Sequence, residues 1–444
     1  MNVDVDVIII GAGAAGIAAA VELQKSSVSY LILEARNRIG GRAYTDHETF
    51  TSTSVDLGGS WIHLYRPENP IYQYYQEYLV DKQIAHVKEN DVYRCFNEHG
   101  QQISNESMKQ AEEICQQIFT SLEQFTSMNG NDCSIEEFIR ENHPQSADLS
   151  NEVRSVLGYF LHDVELYEAS NLISLSAKQW EAYYEDLSND IFVPFGYGSI
   201  IEHLVDKYKL LVNLNTVVTS IDSTDPNRIA IKIENDDTVK YCRQVIVTIP
   251  LGCLKRNTIK FEPSLPDWKC EAIDRMGFGL LNKLVLQFSE CFWDSTMTSL
   301  CYVNSQQQHD RFLYTKCLPP PANILIMLVH DTFARQLENQ TDEQILNEVM
   351  NFLRTIFPQS QIPSPIRYKF TRWSQDPFAY GSYSNYPVNT SPQTVGLLAK
   401  ETAEGRIQWA GEHTNDTEWN IGYIHSAIGS GQKAARTLIE HRNQ

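Results

Sequence analysis

Residues 5–42 constrain this chain more than any other stretch. Val5 and Val7-Ile8-Ile9-Ile10 make an apolar run of strand length, followed at once by Gly11-Ala12-Gly13-Ala14-Ala15-Gly16 and an Ala-rich helical segment. A second apolar run, Tyr30-Leu31-Ile32-Leu33, ends in Glu34. Strand, glycines, helix, strand and terminal acid spell a βαβ unit built for a dinucleotide. Gly11 allows the tight turn, Gly13 lets the backbone approach a pyrophosphate, and Gly16 lets helix and strand pack closely. The helix N-terminus offers free N–H groups and a positive dipole end to phosphate. Glu34 stands where an acidic side chain accepts from ribose hydroxyls. A GxGxxG alone is weak evidence and serves NAD and FAD alike. Gly40-Gly41-Arg42 tips the choice to FAD, because a second glycine pair and a fixed cation give the diphosphate another contact.

At 444 residues the chain is expected to form one very large domain or two. Its longest apolar runs, such as Ile324–Val329, are of strand length, well short of the roughly 20 residues of a membrane span. No membrane association is expected. Asp4 and Asp6 replace the basic start of a signal peptide, and His441-Arg442-Asn443-Gln444 is neither a peroxisomal nor an ER-retention signal. The nine cysteines include no CxxC pair, which reads as reduced thiols and a cytoplasmic protein. Sequons at Asn105, Asn339, Asn389 and Asn415 then go unread. The 12 histidines form no ligand-spaced cluster, so no metal is expected. A net charge of −20 argues against nucleic acid as a partner. It suits a small cationic substrate, whose arrival it accelerates, although plain solubility explains it equally well. Oligomeric state stays open, and a monomer is compatible with everything above.

Nucleotide-fold character alternates with something else along the chain. Segments 1–80, 196–285 and 396–444 read as one domain, and 81–195 with 286–395 as a second. Residues Met108–Glu123 and Glu152–Leu161 repeat apolar positions at helical spacing. Thr341-Asp342-Glu343-Gln344 reads as a capping segment opening a helix over 342–356. Strands are expected at 245–249, 284–286, 323–330 and from 407. The fold class is therefore α/β: a Rossmann-like FAD-binding domain interleaved with an α+β substrate-binding domain.

Several further blocks carry a resemblance. They are Asp56-Leu57-Gly58-Gly59-Ser60-Trp61-Ile62-His63, Asn69-Pro70-Ile71, Val247–Gly252, Gly277-Phe278-Gly279 with Asn282-Lys283, Asp376-Pro377 with Gly381-Ser382-Tyr383-Ser384, Ala410-Gly411-Glu412-His413-Thr414 and Gly422-Tyr423-Ile424-His425. In this order and spacing the chain resembles the flavin-containing amine oxidases, and within them the polyamine oxidases. Residues 81–190 and 300–365 match loosely.

The resemblance implies site residues. Beside Gly11, Gly13, Gly16, Glu34, Gly41 and Arg42, flavin contacts are implied for Ala14, Ala15, Ala35, Arg36, Gly58, Gly59, Ser60, Trp61, Val218, Trp373, Gly411, Glu412, Gly422, Tyr423 and Ile424. Tyr383 and Tyr423 match two aromatic positions flanking the substrate amine, where ring faces attract a cation. His63 matches the residue that polyamine oxidases place beside the substrate, and a neutral imidazole there favours an uncharged amine. The family usually has Gly after this His, where Leu64 stands here, and Ala is common at the Gly59 position. Glu168, in Glu165-Leu166-Tyr167-Glu168, resembles an acidic tunnel residue that anchors a distal ammonium. Lys283 matches a lysine that contacts the flavin through a water.

The implied activity is oxidation of a secondary-amine C–N bond in spermine, spermidine or their N-acetyl forms. Dioxygen is the acceptor, and the products are an aldehyde, a shortened amine and hydrogen peroxide. Ser382 stands where the monoamine oxidases carry a flavin-bonding cysteine, so non-covalent FAD is expected. A His at position 63 matches the back-conversion enzymes, which make spermidine from spermine. The alternatives are a histone-lysine demethylase of the same superfamily, a monoamine or amino-acid oxidase, and a non-catalytic flavoprotein binding module. A nucleotide fold starting at residue 5 without a long helical insertion speaks against the first, and Lys283, Tyr383 and Tyr423 against the last.

Overall fold

The computed structural model describes residues 3–51, 53–86, 92–128, 130–143, 149–180, 190–304, 311–415 and 420–443. Two main sheets organise them. In the first, Val5–Ile10 lies between Tyr30–Leu33 and Val239–Val247, parallel to both, with Ile8 opposite Leu31 and Val245. Val212–Asn213 and Ile407–Trp409 extend the parallel part, and Val218–Asp222 and Ile229–Ile233 add an antiparallel excursion. A parallel strand covered on both faces must be apolar throughout. Val7 to Ile10 are accordingly all buried.

The helix Ala14–Lys25 packs against the last helix, Ile424–Asn443. Its alanines matter because the two backbones nearly touch: a Cβ on Gly431 would lie 2.1 Å from the Ala15 carbonyl oxygen. Gly16 has no more room, since a Cβ there would lie 2.0 Å from the Gly11 oxygen. The last glycine of the motif is thus set by contact.

The second sheet has six strands in the order Arg367–Phe370, Leu281–Gln287, Ile324–His330, Tyr314–Leu318, Ser299–Tyr302, Tyr93–Phe96. Leu281–Gln287 straddles residue 285, where the sequence reading ended one domain segment, and pairs entirely within this sheet. Helices Asn105–Thr126 and Asn151–Glu168 pack together, and Ala111, Cys115, Ile118 and Leu122 bury the apolar stripe of the first. Ser104 and Ser150 cap them by accepting from Ser107 and Val153 N–H groups. Thr341 and Gln344 form the reciprocal capping box of helix Asp342–Ile356. The strand expected over 245–249 spans Val239–Val247 instead; Pro250 turns the chain into helix Leu251–Lys255. No helix of the described residues is long and apolar enough to cross a membrane.

Candidate active site

A cavity of about 820 Å³ runs from the glycine turn of the first sheet to the face of the second. Every site residue singled out in the sequence lines it except Gly16, which lies beneath the turn.

At one end stand Glu34, Ala35, Arg36 and Val218. The buried Glu34 carboxylate accepts from Ala12 N–H at 2.7 Å and Arg36 N–H at 2.9 Å, which fixes it at the strand end. Two of its roughly four lone-pair directions remain for hydroxyl donors. Arg36 is held by a bidentate pair with Asp376 at 2.7 and 2.8 Å.

The middle is lined by backbone. Gly13 caps the first helix without a side-chain bond, so the N–H groups from Ala14 and Ala15 face the cavity. Gly41, at φ +58°, brings its loop against Gly13, where a Cβ would sit 3.3 Å from the Gly13 Cα. Across the cavity, Gly422 and Ile424 open the last helix. Arg42 projects between them, donating to Glu412 Oε1 at 2.8 Å and the Ser382 carbonyl at 2.7 Å. The other Glu412 oxygen accepts from Ser384 and from Gly422 N–H at 3.0 Å. Burial pushes the Glu412 pKa up, but Arg42 and His413 outweigh it and hold the carboxyl below its usual range. Glu412 therefore acts on the cavity by fixing Arg42.

The far end brings Gly58, Gly59, Ser60, Trp61 and Trp373 around Lys283. A Cβ on Gly58 would lie 1.7 Å from the Arg42 carbonyl oxygen, so only glycine fits. Trp373 Nε1 donates to the Leu57 carbonyl at 3.3 Å. Lys283 Nζ donates to the carbonyls of Asp56 and Gly58 at 2.9 and 2.5 Å and to Ser60 Oγ. Burial draws its pKa down to about 8, partly offset by the Asp56 charge. Burial raises Asp56 to about 6 against the pull of Lys283. At neutral pH both are charged, so a cation stands at the cavity wall.

Beyond Lys283 the walls turn aromatic. Tyr383 donates from Oη to the Leu166 carbonyl at 3.2 Å, and its ring lies beside Gly422. Tyr423 stacks on His425 and meets His63 at 5.0 Å between ring centroids. His63 Nδ1 pairs with Asp190 at 2.6 Å. The backbone of Glu168 accepts from Asn385, and its side chain reaches the cavity near Tyr383 and Tyr386. The neighbouring Glu165 takes no part in the cavity. Burial raises its pKa, but hydrogen bonds from His162 and the Leu172 N–H, with the His330 imidazole 3.5 Å away, outweigh it and hold the group at about 2. Asp190, Tyr167, Tyr159 and Asp163 also line this end, and no sequence motif pointed to them.

The family profile "Flavin containing amine oxidoreductase" matches residues 14–439. The chain belongs to the flavin-containing amine oxidoreductase family. It is 30% identical over 445 aligned positions to "Probable polyamine oxidase 4" of Arabidopsis thaliana, covering 98% of this chain and 87% of that protein. It is 28% identical to "Polyamine oxidase 1" of Zea mays, covering 98% and 90%. It is also 28% identical to "Lysine-specific histone demethylase 1 homolog 3" of Oryza sativa subsp. japonica, where it covers 98% of this chain but 54% of that protein.

This amine oxidoreductase is therefore an enzyme, and FAD is the cofactor of its family. The residues present fit FAD. Glu34 would meet the ribose, the uncapped N–H groups at Ala14 and Ala15 with Arg42 would meet the diphosphate, and the Gly58 to Trp61 segment with Lys283 would border the ring end. Among the described residues no cluster of His, Cys, Asp and Glu stands at metal-holding geometry.

Proposed function

We propose that this amine oxidoreductase is a polyamine oxidase that oxidises a secondary amine of spermine, spermidine or their N-acetyl forms with O2. The observation that carries the reading is the aromatic end of the cavity, with His63 held by Asp190 between Tyr167 and Tyr423. The first sheet and its glycine turn serve the cofactor; the six-stranded sheet floors the substrate end.

FAD, when bound, supplies the acceptor for the two electrons of the amine C–N bond. The chain's own residues do the rest. The rings of Tyr383, Tyr423 and Trp61 attract the incoming ammonium and orient its carbon. With Nδ1 engaged by Asp190, His63 presents Nε2 to the substrate nitrogen. An imidazole acceptor there takes an N–H and favours the deprotonated amine, whose lone pair the oxidation needs. The closely packed aromatic walls exclude water while the bond is oxidised. The imine then hydrolyses to an aldehyde and a shortened amine, and O2 leaves as hydrogen peroxide. A His at position 63 favours the back-conversion products, spermidine and 3-aminopropanal from spermine.

The name of one 28%-identical relative favours a second reading, demethylation of histone lysine. Peroxide release and mass spectrometry of products decide between them. Spermine, spermidine and their N-acetyl forms should release peroxide with a shortened polyamine. Turnover of a methylated histone peptide alone, or of monoamines or amino acids alone, would replace the polyamine reading, and a main product of 1,3-diaminopropane would reverse the cleavage side.

A further inference from the structure

A buried carboxylate stands behind the Lys283 end of the cavity without lining it. Strand Ile324–His330 runs straight into helix Asp331–Glu338, whose last residue, Glu338, is only 5% exposed. Among the described residues no cation pairs with it. Its carboxylate takes three neutral donors instead. Oε1 accepts from Asn282 Nδ2 at 2.7 Å and from the Ser374 N–H at 3.0 Å, and Oε2 accepts from Ser374 Oγ. A buried charge is costly unless its neighbours are arranged to compensate it. Here the arrangement leads to the site.

An ionised carboxylate only accepts hydrogen bonds. Asn282, itself buried, must therefore turn Nδ2 toward Glu338, which leaves Oδ1 for the opposite side. Oδ1 accepts from the Trp373 N–H at 3.0 Å and from Thr371 Oγ1 at 2.9 Å. With its proton given to Asn282, Thr371 Oγ1 accepts from the Lys283 N–H at 2.8 Å. Every donor in this chain points toward Glu338. Turning the Asn282 amide over would set an NH2 group against the Trp373 N–H. The two residues so held grip one segment of the cavity wall. Lys283 Nζ donates to the Asp56 and Gly58 carbonyls and Ser60 Oγ, and Trp373 Nε1 donates to the Leu57 carbonyl.

We propose that Glu338 is a positioning residue of the redox site: through Asn282 and Thr371 it sets the register in which Lys283 and Trp373 meet the ring end of the cofactor. The inference rests on the fit of FAD to the cavity and not on which amine is oxidised. A fixed cation beside the ring end raises the cofactor's reduction potential, because negative charge gathers there on reduction. A displaced cation raises it less. Loss of the Glu338 charge by itself acts in the opposite sense, since removing an anion eases the arrival of electrons. The sign of the shift thus separates position from charge.

The test uses the FAD-loaded chain and no amine. Wild type, Glu338→Gln, Lys283→Met and the double variant are titrated spectroelectrochemically. Dithionite-reduced samples are then mixed rapidly with O2, and rates are taken per bound FAD. Glu338→Gln keeps the shape but brings an NH2 group against the donors of Asn282 and Ser374. Its potential should fall, and reoxidation should slow at least about fivefold. The double variant should be no worse in either reading than Lys283→Met alone. If Glu338→Gln does not fold, Thr371→Val, which cuts the same chain beside Lys283, decides by the same readings. An unchanged or raised potential would overturn the proposal, as would additive losses in the double variant. Failure of the wild type to oxidise any polyamine would instead defeat the polyamine reading, and these substrate-free readings would still report on Glu338.

Discussion

Asp190 takes His63 Nδ1 on one carboxylate oxygen at 2.6 Å and the Leu64 N–H on the other at 3.0 Å. One side chain thus sets the imidazole's orientation and pins the residue after it. Leu64 lies at φ +51°, in the left-handed region that favours glycine. The family's usual Gly at this position fits that conformation without strain. Here the bond that the Leu64 N–H donates to Asp190 helps to hold a leucine in it.

The pairing predicts a shared effect. Asp190→Asn keeps the shape but loses the charge and one strong acceptor. Oxidation of spermine should slow by at least about tenfold, roughly 1.4 kcal/mol of barrier. If Asp190 acts through His63, the double variant with His63→Asn should be no slower than His63→Asn alone. Additive losses in steady-state rates would separate the two residues.

Ser382 predicts a non-covalent flavin. Its Oγ donates to the Leu281 carbonyl and accepts from the Leu281 N–H, both at 2.8 Å, so the backbone engages its proton and one lone pair. A serine hydroxyl also lacks the nucleophilicity of a thiolate. The one cysteine lining the cavity, Cys253, sits with Ile249, Pro250 and Thr258 near the nucleotide end, and burial pushes its thiol up to about 11. Acid precipitation should release the yellow colour to the supernatant. Colour retained in the pellet would contradict non-covalent FAD.

Glu165 predicts a pH dependence of stability. Its folded pKa of about 2 lies below the model-peptide value of 4.5, because hydrogen bonds to the anion outweigh burial. The stabilisation is therefore complete above the unfolded value and is lost as pH falls from about 4.5 toward 2. Glu165→Gln should cost about 3 kcal/mol at neutral pH. In denaturant melts the gap to wild type should narrow on acidification. A gap independent of pH would assign the loss to shape and not to charge.

The sequence made the cofactor side of this cavity legible because contact geometry dictates it. Gly16 and Gly58 are written into backbone distances that leave no room for a side chain, and the Ala-rich first helix lies against the Gly431 backbone. The amine side was legible only in part. His63 sits in a motif, but its partner Asp190 is 127 residues away and belongs to no local pattern. Arg36 and Asp376 pair across 340 residues in the same hidden way. Glu338 was invisible for another reason. An acid at the end of an amphipathic helix reads as a solvated charge until the packing shows what it meets. Glu168 drew its assignment through its surrounding motif.

Lys283 carries the last prediction. Its ammonium is held by the Asp56 and Gly58 carbonyls and Ser60 Oγ, on a fully paired and largely buried strand. Three oxygens from one segment fix a cation where burial has already lowered its pKa to about 8. The ammonium therefore dominates below about pH 8 and gives way to the neutral amine above it. A fixed cation in a dry site stabilises negative charge that develops during electron transfer to the cofactor and on to oxygen. Lys283→Met keeps the length and removes the charge. One or both half-reactions should slow by at least about tenfold, equivalent to roughly 1.4 kcal/mol. FAD content should stay near wild type, since Glu34, Arg42 and the helix N–H groups lie elsewhere along the cavity. Rapid-mixing absorbance separates the half-reactions, anaerobically with spermine and then with O2. Wild-type rates in both would remove Lys283 from the chemistry, and loss of FAD would make it a structural contact of the cofactor site.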